Sequence, residues 1–157
     1  KCLQCKKEKC TGCSLASLII FDLDNYKIIN DTYGHQTGDK ILKDIALIIK
    51  NNLRETDIAF RYGGDEFTII LPNMDCMKAY NVAERIRIIV EKSEFFGVNG
   101  DKIKLTVSGG ICDYPLNSES GSSLLSHADR AMYIYGKQQG KNKIGVYSEL
   151  KSGCVSR

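Results

Sequence analysis

A glycine pair set between two apolar runs, in the stretch "DIAFRYGGDEFTIILP" (57–72), constrains this chain's fold more than any other feature. Runs of strand length around Gly-Gly predict a β-hairpin turning at Gly63-Gly64, with Asp65 and Glu66 solvated near its tip. A second short apolar run, "SLIIFDLD" (17–24), also ends in acids and reads as a buried strand. If that strand is central and pairs with the hairpin, Asp22 and Asp24 come to lie beside Asp65 and Glu66.

Three helical patterns alternate with these strands. Residues 38–53 place Ile41, Leu42, Ile45, Ala46, Ile48, Ile49 and Leu53 on one stripe, and 79–90 repeat the pattern with Ala79, Val82, Ala83, Ile86, Ile89 and Val90. "SSLLSHADRAMYIYGKQQG" (122–140) predicts a third helix, capped by Ser122 or Ser123 and stopped near Gly140. "DKIKLTVSGGICDY" (101–114) and "KIGVY" (143–147) read as strands. The order predicts an α/β sandwich with a mostly antiparallel central sheet flanked by helices.

A chain of 157 residues, 43% hydrophobic and 26% charged, fits one globular domain. A net charge of +3 with dispersed lysines and arginines gives no footprint for nucleic acid. No apolar run approaches the ~18 residues that span a bilayer, so no membrane segment is expected in this chain, and it opens on Lys1, as a piece of a longer protein would. Cys76, Cys112 and Cys154 are scattered, as in a reducing cytoplasm.

Several carboxylates held together repel one another unless a cation sits between them. Hard oxygen ligands favour Mg²⁺ or Mn²⁺, and Mg²⁺ commonly arrives with substrate phosphates. Two such ions are a known device for attack of a hydroxyl on a phosphate. Glycines at 63 and 64, lacking Cβ atoms, would let a nucleotide approach the backbone.

"FDLDNYKIINDTYGHQTGDKIL" (21–42) followed by "RETDIAFRYGGDEFTIILP" (54–72) resembles the GGDEF domain of diguanylate cyclases, which join two GTP molecules into cyclic di-GMP. The resemblance runs over residues 17–148 and implies the palm-like sandwich of nucleotidyl cyclases, with 149–157 as a tail. It implies that Asp22, the Leu23 carbonyl, Asp65 and Glu66 hold two Mg²⁺ or Mn²⁺ ions, and that Asp65 accepts the proton of the 3′-hydroxyl. Lys27, Lys137 and Lys141 would neutralise the triphosphate, and Gly63 would border the nucleotide. Asn30, His35 and Asp39 would line the guanosine pocket. Alone, Arg54 and Asp57 of "RETD" read as an ion pair near a helix end. By resemblance they form a product-binding inhibitory site with Arg85. Because such a site holds one GTP and the product needs two, a homodimer is implied. A binding module that senses cyclic di-GMP or GTP without catalysis is the alternative, and a different nucleotidyl cyclase or polymerase palm is a third.

The family usually opens with an Asp-x-Leu-Thr segment and an Asn-Arg pair. Here residues 1–16 carry "CLQCKKEKCTGC" instead, which reads first as a locally disordered stretch or part of an upstream module; the alternative is that Cys2, Cys5, Cys10 and Cys13 form a thiolate site for Zn²⁺ or an iron–sulfur cluster, although the four-residue gap between the pairs is tight.

Overall fold

A computed structural model describes residues 15–147. Strand β1 (Ala16–Leu23) lies at the centre of a five-stranded sheet, between β3 (Glu66–Pro72) and β6 (Val107–Tyr114) and antiparallel to both. The edges are β2 (Ile58–Gly63), antiparallel to β3, and β7 (Ile144–Val146), which runs parallel to β6. Apart from that one parallel pairing, the predicted antiparallel sheet is present.

Side chains of β1 alternate between two cores, which is why it reads as an unbroken apolar run. Ile19, Phe21 and Leu23 pack with β3 residues Phe67, Ile69 and Leu71 under helices α2 (His35–Asn51) and α3 (Cys76–Lys92). Leu18 and Ile20 face the other way, against Leu124, Ala128 and Ala131 of α4 (Gly121–Ala131). Beyond α4 the chain continues as a π-helical segment, Met132–Lys137. This layer sits directly on the strand backbone. A Cβ at Gly110 would fall 2.0 Å from the Ala128 carbonyl oxygen, so the glycines that interrupt the alternation of β6 are what allow α4 to approach.

Several predicted boundaries move. An unforeseen helix, α1 (Tyr26–Tyr33), follows β1 at once, and α2 starts at His35 instead of residue 38. Asn25, in the left-handed region at φ 62°, starts α1. The single strand expected over 101–114 divides into β5 (Lys102–Ile103), paired with β4 (Phe95–Phe96), and β6. The third helix is capped by Ser120, whose hydroxyl accepts from the Ser123 amide while Ser123 reaches back, a capping box in place of a cap at Ser122 or Ser123. The hairpin tip also shifts by one residue. Gly63 pairs with Glu66, leaving Gly64 and Asp65 as the turn and Tyr62 in a bulge. No helix among the described residues is long and apolar enough to cross a membrane. The four N-terminal cysteines, Cys154 and the predicted tail lie outside the described residues.

Candidate active site

The register of β1 and β3 places Asp22 directly opposite Glu66, at the end of the strands where the hairpin turns. Asp65 is fastened to the same place, because the Leu23 N–H donates to its carbonyl oxygen at 3.3 Å. Asp22, the Leu23 backbone, Asp65 and Glu66 therefore converge, as expected. Burial raises the Asp22 carboxyl above its ordinary value. The Lys137 ammonium offsets this only in part, while the charges of Asp65 and Asp24 add to it. Glu66 is raised too, first by burial and then by Asp22, Asp129 and Asp65.

Asp24, the other acid expected at this end of β1, acts on Asp22 but is already satisfied by its own hydrogen bonds. It is 2% exposed and turned back into the protein. Its oxygens accept from Thr106 Oγ1 (2.7 Å), Ser108 Oγ (2.8 Å), the Asn142 amide (3.0 Å) and Lys137 Nζ (3.0 Å). Burial alone would raise its carboxyl, but these hydrogen bonds outweigh burial and hold it low. A carboxylate so fully satisfied is an anchor, and what it anchors is Lys137, which also ion-pairs with Asp22. Lys137 stays charged, since its bonds to Asp22 and Asp24 outweigh its own burial.

The loop after the π-helical segment is held from two sides. Lys141 and Asn142 adopt left-handed backbone angles, φ 62° and 52°. Asn142 is gripped by Arg87 Nη1 (2.7 Å) and donates to Glu91 Oε1 (2.7 Å), both on α3. Lys141 Nζ then reaches Asn25 Oδ1 at 2.6 Å, beside the start of α1. Of the three predicted phosphate lysines, Lys137 borders the acids, Lys141 is held at Asn25 beside the end of β1, and Lys27 is exposed on α1. Nothing in the sequence marked Thr106, Ser108 or Asn142 for this role, since each contacts Asp24 across more than eighty residues of chain.

Asn30 and Asp39 belong to α1 and α2, which cross at Gly38. A Cβ there would meet Asn30 Oδ1 at 1.9 Å, and that oxygen is buried without a hydrogen-bond partner. An unpaired buried amide oxygen is costly and marks a place where a partner belongs. Asp39 is exposed as the fifth residue of α2, past the positions where a side chain caps a helix. It lines an open cleft of about 860 Å³ between α2 and β2, with Arg61 and Phe67. His35 is exposed at the start of α2, and Gly63 borders open space.

Arg54 and Asp57 line the far end of the same cleft but do not form the ion pair that their spacing suggests. Asp57 Oδ2 accepts the Arg54 backbone N–H at 2.9 Å, closing a turn, and its other oxygen is buried and unpaired. Among the described residues nothing engages the Arg54 guanidinium. Arg85 Nη2 donates to the Asn52 carbonyl at 2.7 Å, which brings it to the same end of α2.

Among the described residues no group of three or more His, Cys, Asp or Glu side chains is arranged to hold a metal ion by itself. Asp22 and Glu66 still fit Mg²⁺. They face each other, burial and neighbouring carboxylates raise both, and this ion usually takes one or two carboxylates and completes its shell with phosphate and water.

A palm-like α/β sandwich whose central strands end in facing acids, with lysines alongside, defines a nucleotidyl-cyclase type of domain. The family model described as diguanylate cyclase, GGDEF domain, matches residues 4–143, and the chain belongs to that family. It is 44% identical over 128 residues to diguanylate cyclase A of Treponema denticola, covering 82% of this chain and 34% of that protein. Diguanylate cyclase DosC of Escherichia coli is 41% identical over 137 residues, covering 87% of this chain and 29% of that one. The chain thus spans about a third of the length of these relatives. The GGDEF domain of DgcB from Caulobacter crescentus, solved in complex with c-di-GMP, superposes with a TM-score of 0.81 at 31% identity, covering 86% of this chain and 79% of that one. The GGDEF domain of YfiN (TpbB) from Pseudomonas aeruginosa gives 0.80 at 33% identity, with coverage of 85% and 82%.

Proposed function

We propose that this domain is a diguanylate cyclase, condensing two GTP molecules into cyclic di-GMP with release of two pyrophosphates. The observation that carries the reading is the facing pair Asp22 and Glu66, with Asp65 on the adjoining turn and Lys137 bridging to the anchored Asp24. In each of two successive steps a ribose 3′-hydroxyl attacks the α-phosphorus of the facing nucleotide. A P–O bond to the 3′-oxygen forms, the bond from that phosphorus to the β-phosphate bridge breaks, and Asp65 accepts the hydroxyl proton. Mg²⁺ bound between Asp22, the Leu23 carbonyl and Glu66 would make that hydroxyl more acidic and screen the phosphate charge. Lys137 and Lys141 bind the triphosphate, with Lys27 reaching from α1. Asp39 reads the paired donors of the guanine edge, Asn30 its sugar edge, and His35 closes the pocket.

Each domain supplies one GTP, so two domains must meet face to face. Product binding at Arg54, Asp57 and Arg85 restrains turnover. The free Arg54 guanidinium and the unpaired Asp57 oxygen also favour a second reading, a module that binds cyclic di-GMP without making it. Incubation of purified protein with GTP and Mg²⁺ separates the two: cyclic di-GMP should accumulate, and Asp65→Ala should lower its rate by about 10²-fold or more. Product formation that survives Asp65→Ala and Glu66→Ala would overturn the assignment, and a wild type that binds cyclic di-GMP yet makes none would favour the sensor.

A further inference from the structure

Both polar atoms of the Asn142 side chain, and its backbone N–H, are committed. The N–H donates to Asp24 Oδ2 at 3.0 Å and to Ser108 Oγ at 3.1 Å. The side-chain oxygen accepts from Arg87 Nη1 at 2.7 Å, and the side-chain nitrogen donates to Glu91 Oε1 at 2.7 Å. Asn142 therefore joins α3 to the buried carboxylate that anchors Lys137. It does so from a left-handed backbone, φ 52°, which asparagine tolerates better than most residues and glycine adopts freely.

Arg87 holds the other end of that bridge rigidly. Glu84 grips its guanidinium bidentately, from Nε at 2.9 Å and Nη2 at 2.7 Å, while Nη1 reaches Glu91 at 2.9 Å as well as Asn142. A planar fork fixed by three partners at once has little freedom to turn. Both lysines beside the acids depend on what it holds. Lys137 Nζ and the Asn142 N–H share the Asp24 carboxylate, one on each oxygen. Lys141 precedes Asn142, is itself left-handed at φ 62°, and rests its ammonium on Asn25 at 2.6 Å, so its direction follows from how the loop is held.

We propose that Arg87 is a positioning residue which, through Asn142, holds the loop of residues 140–143 in the form that presents Lys137 and Lys141 to the triphosphate of the nucleotide. The inference rests on the reading of these lysines as phosphate contacts. The competing role is a staple within α3, since Glu84 and Glu91 lie one turn to either side of Arg87 and pair with it independently of Asn142. Asn142→Gly separates the two roles. Glycine keeps the backbone N–H and the left-handed angle, deletes the side-chain bridge, and leaves the ion pairs of α3 in place. Both glutamates reach solvent, so Arg87→Ala should fold as well.

The test is calorimetric binding of two nucleotides, with Mg²⁺, to the whole chain, to Arg87→Ala, to Asn142→Gly and to the double variant. One is GMP; the other is the GTP analogue with a methylene bridge between its α- and β-phosphates, whose bond to the leaving group does not break. Each variant should bind the analogue about 10-fold more weakly than wild type, as loss of a charge-assisted hydrogen bond does, and the double variant no more weakly than either single one. Affinity for GMP, which lacks the β- and γ-phosphates, should stay near that of wild type. Unchanged affinity of Asn142→Gly for the analogue overturns the inference, whatever Arg87→Ala does, and leaves Arg87 a staple. So do losses that add in the double variant, or an equal weakening toward GMP. A wild type that binds the analogue no more tightly than GMP overturns the phosphate role of the lysines, and one that binds neither overturns the nucleotide site; the inference falls with either reading.

Discussion

Two aspartates separated by one residue have opposite fates here. Asp24 points into the protein, where Thr106, Ser108 and Asn142 satisfy it, so it stays ionised and fixes Lys137. Asp22 stays at the mouth with Glu66 and Asp65, where like charges and burial make ionisation unfavourable. A site that repels itself costs stability, as ligand sites commonly do. For Glu66 the folded-state value lies above its ordinary 4.5, so the folded chain holds that proton more tightly than the unfolded one. Its contribution to stability therefore declines as pH rises above about 4.5. Glu66→Gln should raise the melting temperature near neutral pH without divalent ions, and the gain should shrink in acid. Melting curves across pH check this, and a gain independent of pH would point to packing.

At the scale of elements, the signature hairpin supplies acids but does not assemble the site alone. The π-helical segment carries Lys137 to Asp22 because α4 can sit on the bare backbone of Gly110, and π-helical segments often occur where a side chain must be re-aimed for function. Similarly, the crossing of α1 and α2 brings Asn30 against Gly38. At the other end of α2, Asp57 closes a turn on the Arg54 amide and leaves the guanidinium free for a ligand. Arg54→Ala should leave that turn intact and weaken cyclic di-GMP binding by about 10-fold or more, as loss of a charged hydrogen bond does. Calorimetry on both proteins decides the matter, and equal affinities would leave "RETD" a structural turn.

The molecule presents Asp22, Asp65 and Glu66 at one end of the sheet, and under the proposed function each such end would serve one nucleotide. Turnover by the proposed route depends on encounter, so specific activity should rise with protein concentration until dimers saturate. Activity assayed over a wide dilution series checks this, and a rate strictly proportional to protein would mean either a permanent dimer or a different reaction, which sedimentation distinguishes. Edge strand β2 is exposed along its length, with Ile58 55% and Phe60 42% exposed, and beside it opens the cleft that runs from Asp39 to Arg54.

Local pattern in the sequence was enough to determine β1, the β2–β3 hairpin and β7, the stripes of α2 and α3, and the acids at the strand ends, because alternation and helical period depend on neighbours a few residues apart, whereas β4, β5 and the break before β6 were not legible. It also drew Asp22, Asp24, Asp65 and Glu66 together, given pairing of the acid-tipped strand with the acid-tipped hairpin, and the family resemblance then singled out Asp22, Asp65 and Glu66. Short α1 escaped notice because eight residues starting from a left-handed Asn25 carry too few apolar positions to show a period. Only the tertiary structure decided that Asp24 turns inward onto Thr106, Ser108 and Asn142, that Asp57 bonds a backbone amide instead of an arginine side chain, and that the Tyr26 and Asn30 side chains crowd Gly38. The first two outcomes turn on which donor lies nearest in space, and for Asp24 those donors come from more than eighty residues away, a separation at which the sequence carries no signal until the sheet has formed.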